Sequence, residues 1–349
     1  MTDKVARALV TGGAGFFGTV LKHRLLDEGF DVLSVDFCRD ATVRDGFSSV
    51  VGDIAEPDVL TGIFRREKFD VVFHCAALLA HDVKDKRALW RSNVEGTRML
   101  AEATRRAGIT QVVFISSNCL WAENLHRPVT EQDQPKPAEV YGKSKWEGEK
   151  ILLSHSGDFH TTVLRSPTII SPGRLGLLSL LFDFIREDRK VWVVGDGGNV
   201  YQWVYAPDVA DACLLAYKND SSGVFNVGSN DVRPMREVYE YVIEKAASGS
   251  RVASLPRRTT LAAMAIANAL GMSPLGPYQR RMIAEDFVFD TSKINQALGW
   301  EPSHTNEEML YLAYEHYHAN FDEISKRTDV SAHNRRAKMG VIRLLKWLS

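Results

Sequence analysis

The sequence predicts an α/β fold with a doubly wound parallel sheet and a smaller C-terminal lobe. Short runs rich in β-forming residues recur at residues 8–10, 32–35, 71–75, 112–115 and 162–164. Helical patterns lie between these runs. The segments 17–28 and 93–107 are each followed by a glycine, Gly29 and Gly108, of the kind that commonly closes a helix. After Pro167 the connections become longer and irregular. This alternation is typical of βαβ units in a parallel sheet.

The change after Pro167 also predicts the division into lobes. We expect residues 1–167 to form the sheet domain, with segments near 195–228 returning to it. Residues 168–324 would form most of the smaller, partly interleaved lobe, and residues 325–349 a separate basic tail. A chain of 349 residues, 45% of them apolar, is large enough to bury two cores.

Composition excludes several classes of function. The 43 Lys and Arg residues nearly balance the 44 Asp and Glu residues, so no overall field favours nucleic acid as a partner. The four cysteines lie far apart without a CxxC pair, which argues against a disulfide framework and a metal site. The N-terminal apolar run ends in glycine-rich sequence and lacks a cleavage site, so no signal peptide is expected. A cytoplasmic location fits these features.

A glycine-rich segment, residues 11–18, joins the first predicted strand to the first predicted helix. Glycines at this place permit a tight turn, close approach of the backbone to a pyrophosphate, and packing of helix on strand. The five residues predicted here to bind a dinucleotide are Gly12, Gly15, Phe16, Phe17 and Gly18.

Asp36 lies at the end of the next predicted strand, 18 residues beyond the last of these glycines. A carboxylate there would accept hydrogen bonds from the adenosine ribose and repel a 2′-phosphate, so the predicted cofactor is NAD. The nearby Arg39 keeps NADP as the less favoured alternative, and Asp36 alone is also compatible with an ordinary turn. Asp53 and Ile54 are predicted to meet the adenine amine and ring, although they too fit an ordinary turn.

Two small residues, Ala76 and Ala77, end another predicted strand and would let the backbone pass close to a flat cofactor. Tight core packing explains them equally well.

A tyrosine and a lysine four residues apart, Tyr141 and Lys145, begin a predicted helix and share one face of it. A phenol is a poor base at neutral pH, but an adjacent ammonium and an oxidised nicotinamide both favour the phenolate. Ser117, after the strand at 112–115, would hydrogen-bond the reacting oxygen as charge develops on it. Taken singly, the Tyr–Lys spacing is more often a surface coincidence.

Together these residues resemble the extended short-chain dehydrogenase/reductase family, also called the NAD-dependent epimerase/dehydratase family. The resemblance runs from Thr11 to about Trp300 and implies a Rossmann-type nucleotide domain. By the same resemblance, Ser117 rather than Ser116 is the catalytic serine, and Asn93 belongs to the active-site region. Pro167 and Ile169 would line the nicotinamide pocket. Members commonly dimerise, so a homodimer is expected.

The resemblance also narrows the reaction. Sugar-nucleotide 4,6-dehydratases of the family carry an Asp-Glu pair where this chain has Asn118-Cys119, so 4,6-dehydration is disfavoured. Tyr201 stands where epimerases of the family place an arginine for the substrate diphosphate, and Arg280 or Arg281 would match a second such arginine. Asn118, Tyr201 and Arg280 are therefore the predicted substrate contacts.

The first hypothesis is an NAD(H)-dependent oxidoreductase that interconverts a secondary alcohol and a ketone on a hydrophobic or membrane-lipid substrate, such as an oxo-sphingolipid or sterol-like lipid. The apolar segment 260–277 would wall its pocket, unless it belongs to the core. The alternative is an NAD-dependent epimerase acting on a nucleotide sugar or a lipid-linked sugar. A nucleotide-sensing scaffold without chemistry is disfavoured by the Ser–Tyr–Lys trio.

The tail, residues 325–349, contains seven basic residues and one acidic residue. Wound as a helix, it gathers apolar residues on one face and basic residues opposite, a pattern typical of peripheral helices on anionic membranes. A helix docked on the body or on a dimer partner fits the pattern as well.

Overall fold

The computed structural model describes residues 5–79, 85–269, 280 and 282–326. The hypothesis of a membrane-binding tail falls almost wholly outside these residues, as does the second half of the predicted apolar wall. No helix in the described ranges is both long and apolar enough to cross a bilayer.

Seven parallel strands form the central sheet, in the order β10-β6-β5-β4-β1-β2-β3. Their bounds are β1 (Arg7–Thr11), β2 (Asp31–Asp36), β3 (Phe47–Val51), β4 (Val71–His74), β5 (Gln111–Ser117), β6 (His160–Ser166) and β10 (Gly223–Asn226). The predicted doubly wound sheet is confirmed. All seven residues of β5 are buried, as expected for a central strand covered on both faces.

Helices cover both faces of this sheet. Those from the first half of the chain are α1 (Phe16–Asp27), α2 (Pro57–Arg66), α3 (Lys86–Trp90), α4 (Gly96–Ala107) and α5 (Val140–Leu153). A π-helical turn, Arg91–Glu95, leads into α4, and Gly108 ends α4 with a φ of +67°. Helix α1 packs on α7 (Ala206–Lys218) over one face, whereas α2, α4 and α5 cover the other.

The smaller lobe contains two short parallel sheets, β7 (Thr168–Ile170) with β9 (Trp203–Tyr205) and β8 (Val191–Val194) with β11 (Val252–Leu255). Its helices are α6 (Leu178–Arg186), α8 (Met235–Lys245), α9 (Arg257–Ala269), α11 (Asn306–Ala319) and α12 (Phe321–Lys326). Phe182, Trp203 and Tyr317 form the centre of its core. Helix α10 (Ser292–Leu298) instead packs on β10 and contributes to the core of the central sheet.

The chain passes between the lobes more than once. Within residues 195–228, β9 pairs with β7 of the smaller lobe. Helix α7, by contrast, packs on the central sheet, and β10 is the edge strand of that sheet, paired with β6. A later segment is anchored to α7, because the indole N–H of Trp300 donates to the carbonyl of Asp208 at 2.8 Å. The Ser303 hydroxyl donates to the Asp208 carboxylate at 2.5 Å, and burial raises the pKa of Asp208.

A buried ion pair fixes α5 against the sheet. Arg165 on β6 lies 2.7 Å from Glu149 on α5, and the two side chains are 3% and 0% exposed. The Ser116 hydroxyl on β5 donates to the same carboxylate at 2.5 Å. The indoles of Trp121 and Trp146 lie 5.2 and 5.9 Å from the guanidinium carbon. One carboxylate therefore joins two strands to the helix that carries Tyr141 and Lys145.

We predict that Glu149→Gln lowers the free energy of unfolding by about 3–5 kcal/mol, because it leaves the Arg165 charge buried without its counter-charge. Denaturant unfolding measures the effect. Glu147→Gln is the matched control, since it removes a carboxylate from the same helix but from an exposed pair with Lys150. Equal stability of the two variants would contradict the prediction.

Candidate active site

The glycine loop between β1 and α1 has the geometry of a pyrophosphate cradle. Gly12 has a φ of +73°, and a Cβ atom there would lie 2.7 Å from the Cα of Ala76. A Cβ at Gly18 would lie 2.1 Å from the Gly12 carbonyl oxygen. Helix α1 begins after Gly15 with neither a side-chain cap nor an acidic residue in its first turn. Its N-terminal N–H groups and partial positive charge suit an anion.

Asp36 lies at the carboxyl end of β2, directly beside this loop. Its carboxylate accepts hydrogen bonds from the backbone N–H groups of Ala14 and Cys38, both at 3.1 Å. The carboxylate is therefore held at the edge of the glycine loop, and its contact with an adenosine ribose stays a prediction.

A buried ion pair beneath the glycine loop was not predicted from the sequence. The buried ammonium of Lys22 donates to the Gly13 carbonyl at 3.0 Å and contacts the Asp40 carboxylate at 2.5 Å. It ties the segment after Asp36 to the glycine loop. The feature of the sequence that could have indicated this ion pair is the position of Lys22, next to Leu21 on the buried side of α1.

The two residues predicted to meet adenine have other partners. The Asp53 carboxylate contacts Arg91 at 2.5 Å and accepts the Ala55 N–H at 2.8 Å. Ile54 is buried in the core, where a Cβ on Gly96 would lie 3.0 Å from it. The contacts of Asp53 and Ile54 with adenine stay predictions.

A buried polar chain links the glycine loop to α4. The ring of His74 bonds through Nδ1 to Thr11 Oγ1 at 2.7 Å and through Nε2 to Thr97 Oγ1 at 2.9 Å. Burial, with a smaller contribution from the Lys145 charge, lowers the pKa of His74 to about 3. The imidazole is thus neutral near pH 7. Half-buried Ala76 and Ala77 follow β4 next to this chain.

Asn93 continues the chain to α5. Its side chain bonds both backbone groups of Leu78, at 2.7 and 3.0 Å, and donates to the Ser144 hydroxyl at 3.0 Å. That hydroxyl donates to the Tyr141 carbonyl at 2.8 Å. Asn93 therefore holds the loop after β4 against the first turn of the helix that bears the predicted catalytic tyrosine.

The predicted catalytic residues converge at the carboxyl end of β5. The Lys145 ammonium donates to the Ile115 carbonyl at 2.8 Å, two residues before Ser117. Gly142 lies against the turn after Ser117, because a Cβ there would be 2.2 Å from the Cys119 carbonyl oxygen. The first turn of α5, with half-buried Tyr141, is thereby brought next to Ser117.

Two of these groups have distinct local environments. Burial lowers the pKa of Lys145 to about 8, against smaller opposing effects of Cys75, Glu149 and Cys119. The Ser117 hydroxyl accepts the Cys119 N–H at 3.2 Å and so caps a short 3₁₀ turn.

Two predicted substrate contacts meet in the structure. The Asn118 amide donates to the Tyr201 hydroxyl at 2.7 Å, and both side chains are buried. They border a cavity whose lining also includes Trp121, Phe287, Glu123, Glu285 and Asp286.

The remaining predicted residues lie around this region. Pro167 is buried at the end of β6, and Ile169 is half-buried in β7. Arg280 is half-buried, and its neighbours 270–279 and 281 lie outside the described residues. No group of three or more metal-binding side chains occurs in the described part of the chain.

Fold and site together define a dinucleotide-dependent α/β enzyme. The family model described as the NAD dependent epimerase/dehydratase family matches residues 8–228, and the chain belongs to this family. The predicted family and the predicted cofactor, NAD, are thereby confirmed.

Two proteins of similar sequence and one of similar structure illustrate what the chain resembles. "Uncharacterized protein y4nG" of Sinorhizobium fredii is 34% identical over 98% of this chain and 86% of its own length. UDP-glucose 4-epimerase of Mycolicibacterium smegmatis is 28% identical, covering 85% of this chain and 93% of its own. The structure of Bordetella bronchiseptica WbmG in complex with NAD and UDP superposes with a TM-score of 0.75 at 20% identity, covering 96% of this chain and 98% of its own. The family and the likeness to a UDP-glucose 4-epimerase favour the sugar epimerase alternative over the lipid oxidoreductase.

We predict that His74 makes stability depend on pH. The imidazole of the unfolded chain takes up a proton below its ordinary pKa of 6.5, but the buried ring does not until about pH 3. Stability is therefore lost as pH falls through this window, at up to about 1.4 kcal/mol per pH unit. His74→Gln removes this slope, whereas the same substitution at exposed His126 retains it. The free energy of unfolding is measured as a function of pH. The same pH dependence in His74→Gln and in the wild type would refute the role of His74.

Proposed function

We propose that the chain is an NAD-dependent epimerase that inverts a secondary carbinol carbon of a nucleotide sugar. The observation that carries the proposal is the convergence of Ser117, Tyr141 and Lys145 beside the glycine loop, without an acid–base pair after the serine. Likeness to a UDP-glucose 4-epimerase over most of both chains supports the choice of substrate class.

Each of the three side chains has a role in this reaction. Bound NAD supplies a hydride acceptor that also returns the hydride. The Tyr141 phenolate takes the proton of the substrate hydroxyl, and the nearby Lys145 ammonium stabilises that phenolate. The Ser117 hydroxyl hydrogen-bonds the reacting oxygen as its charge changes. When the ketone has turned its opposite face to the cofactor, the Tyr141 phenol would return the proton to its oxygen, which completes the inverted carbinol.

The residues next to Ser117, Tyr141 and Lys145 support hydride transfer without elimination of water. Asn118 has no titratable group, and its amide is engaged with the Tyr201 hydroxyl. Removal of water from a sugar requires a separate acid and base at this place, so 4,6-dehydration is disfavoured.

The adjacent cavity is lined by the aromatic residues Trp121 and Phe287 and by the acidic residues Glu123, Glu285 and Asp286. A mixed aromatic and acidic lining is compatible with a sugar, which offers both apolar ring faces and hydroxyl groups. On the predicted apolar wall, Ile266 is 62% exposed to solvent. The predicted homodimer, the cytoplasmic location and the contact of residues 325–349 with an anionic membrane stay predictions.

We expect Tyr141→Phe to reduce turnover by about 10²–10⁴-fold, because it removes the group that exchanges the proton. Rates are measured with a nucleotide sugar that the wild-type enzyme converts, and retained NAD is measured by absorbance. Tyr311→Phe removes a hydroxyl from a half-buried tyrosine of the smaller lobe and should leave the rate unchanged. Near-normal turnover of Tyr141→Phe would overturn its catalytic role.

Cofactor stoichiometry tests the class of reaction. The purified protein is incubated with a panel of UDP-, GDP- and dTDP-hexoses in the absence of added nucleotide, and products are resolved by NMR. An epimerase yields an inverted hexose through many turnovers on its own retained NAD. A requirement for one free NAD(H) per product, or turnover of ketolipids alone, would instead support the oxidoreductase hypothesis and sink the proposal.

A further inference from the structure

Helix α9 of the smaller lobe has no buried side chain among residues 257–267, the part of it whose side chains the structure describes. A helix on the surface of a globular protein normally buries one apolar face and presents charged residues on the other. In α9 the residues after Arg258 are uncharged, and Leu261, Met264 and Ile266 are large and apolar. Ile266 is 62% exposed. The described part of the protein therefore leaves apolar surface of this helix uncovered.

The sequence around α9 is basic. Residues 245–284 contain six Lys and Arg residues and no Asp or Glu, although the whole chain has a formal net charge of −1. Two of the six, Arg257 and Arg258, are exposed in the first turn of α9. The next charged residue is Arg280. An exposed apolar helix thus begins with a pair of exposed arginines, and no acidic residue lies near them in the sequence.

We propose that α9 binds an anionic lipid surface, with its apolar side chains at the acyl boundary and Arg257 and Arg258 at the headgroup phosphates. Exposed apolar side chains next to basic ones are typical of peripheral helices on anionic membranes. The guanidinium fork of arginine matches phosphate oxygens. With 13 residues, α9 is about 20 Å long, shorter than the hydrocarbon core of a bilayer, so it lies on the surface.

Charge disfavours the two protein partners that the chain itself could supply. The tail, residues 325–349, contains seven basic residues and one acidic residue, so its docking on α9 would bring like charges together. Contact of α9 with the same helix of a second copy would also place arginine near arginine. An anionic lipid surface, by contrast, attracts α9 and the tail alike.

Flotation with lipid vesicles tests the apolar part of the contact. Full-length protein is mixed with vesicles of phosphatidylcholine, with and without phosphatidylglycerol, and should bind only those that contain the anionic lipid. Ile266→Asp should weaken this binding by about 10-fold or more, because it places a charge in the apolar interface. Val43→Asp is the matched control, since Val43 is an apolar residue outside α9 that is 95% exposed, and it should bind as the wild type does.

A double substitution tests the arginines. Exchange of Arg257 and Arg258 for Gln should remove most of the preference for phosphatidylglycerol. The same exchange at Arg65 and Arg66, an exposed pair at the end of α2, should leave it unchanged. Thermal unfolding checks that each variant is folded.

Three outcomes would overturn the proposal. The wild type fails to bind anionic vesicles, or Ile266→Asp binds them as well as the wild type does, which would assign binding to another part of the chain. In the third, light scattering shows that Ile266→Asp dissociates a dimer while vesicle binding is unchanged, which would make α9 an interface between copies. No sugar or cofactor enters these experiments, so their result is independent of the reaction that the enzyme catalyses.

Discussion

The active site depends on the ion pair between Arg165 and Glu149. Successive residues of a strand point to opposite faces of a sheet, and the Ser116 hydroxyl points to the face under α5, where it is bonded to Glu149. Ser117, the last residue of β5, caps the short 3₁₀ turn that contacts the first turn of α5 at Gly142. Two charges are costly to bury, and this cost is offset only when each has well-placed partners. The strands β5 and β6 and the helix α5 therefore have one favourable relative position.

The glycine loop and α5 are joined by a second set of interactions that uses neutral groups. Thr11, His74 and Thr97 pass hydrogen bonds from β1 to α4, and Asn93 and Ser144 extend them to the first turn of α5. Because the imidazole stays neutral, the chain needs no counter-charge under the cofactor. The glycine loop and the helix that bears the predicted catalytic tyrosine are thus joined by one continuous set of hydrogen bonds.

The sequence was sufficient for features set by local rules. The β-forming runs at 8–10 and 112–115, the glycine at position 12 and the carboxylate at position 36 each follow from periodicity or backbone geometry. Contacts between distant segments were not predictable in this way. The Asn118 amide is hydrogen-bonded to Tyr201, which lies 83 residues away in the sequence. Lys22 forms a buried ion pair with Asp40, and hydropathy does not predict that these two charged residues are buried.

The substrate hypothesis shows the same limit. The hypothesis of an apolar substrate was based on Tyr201 at the place of an expected arginine and on the apolar segment 260–277, both judged by residue type. In the structure the Tyr201 hydroxyl is part of a polar contact, and acidic residues line the neighbouring cavity. The sequence also did not indicate that Ile54, the predicted adenine contact, is buried against Gly96. Burial of a side chain depends on packing that only the assembled fold defines.

The pairing of β10 with β6 has a consequence for synthesis on the ribosome. A nascent chain that ends shortly after Ser166 exposes the edge of β6, because Gly223–Asn226 has not yet emerged. The face of the sheet that α7 covers is exposed for the same period, and the anchor of α7 at Trp300 emerges later still. Such surfaces favour association with other chains until they are covered. A gene divided at the boundary between the lobes would therefore not give two halves that fold independently.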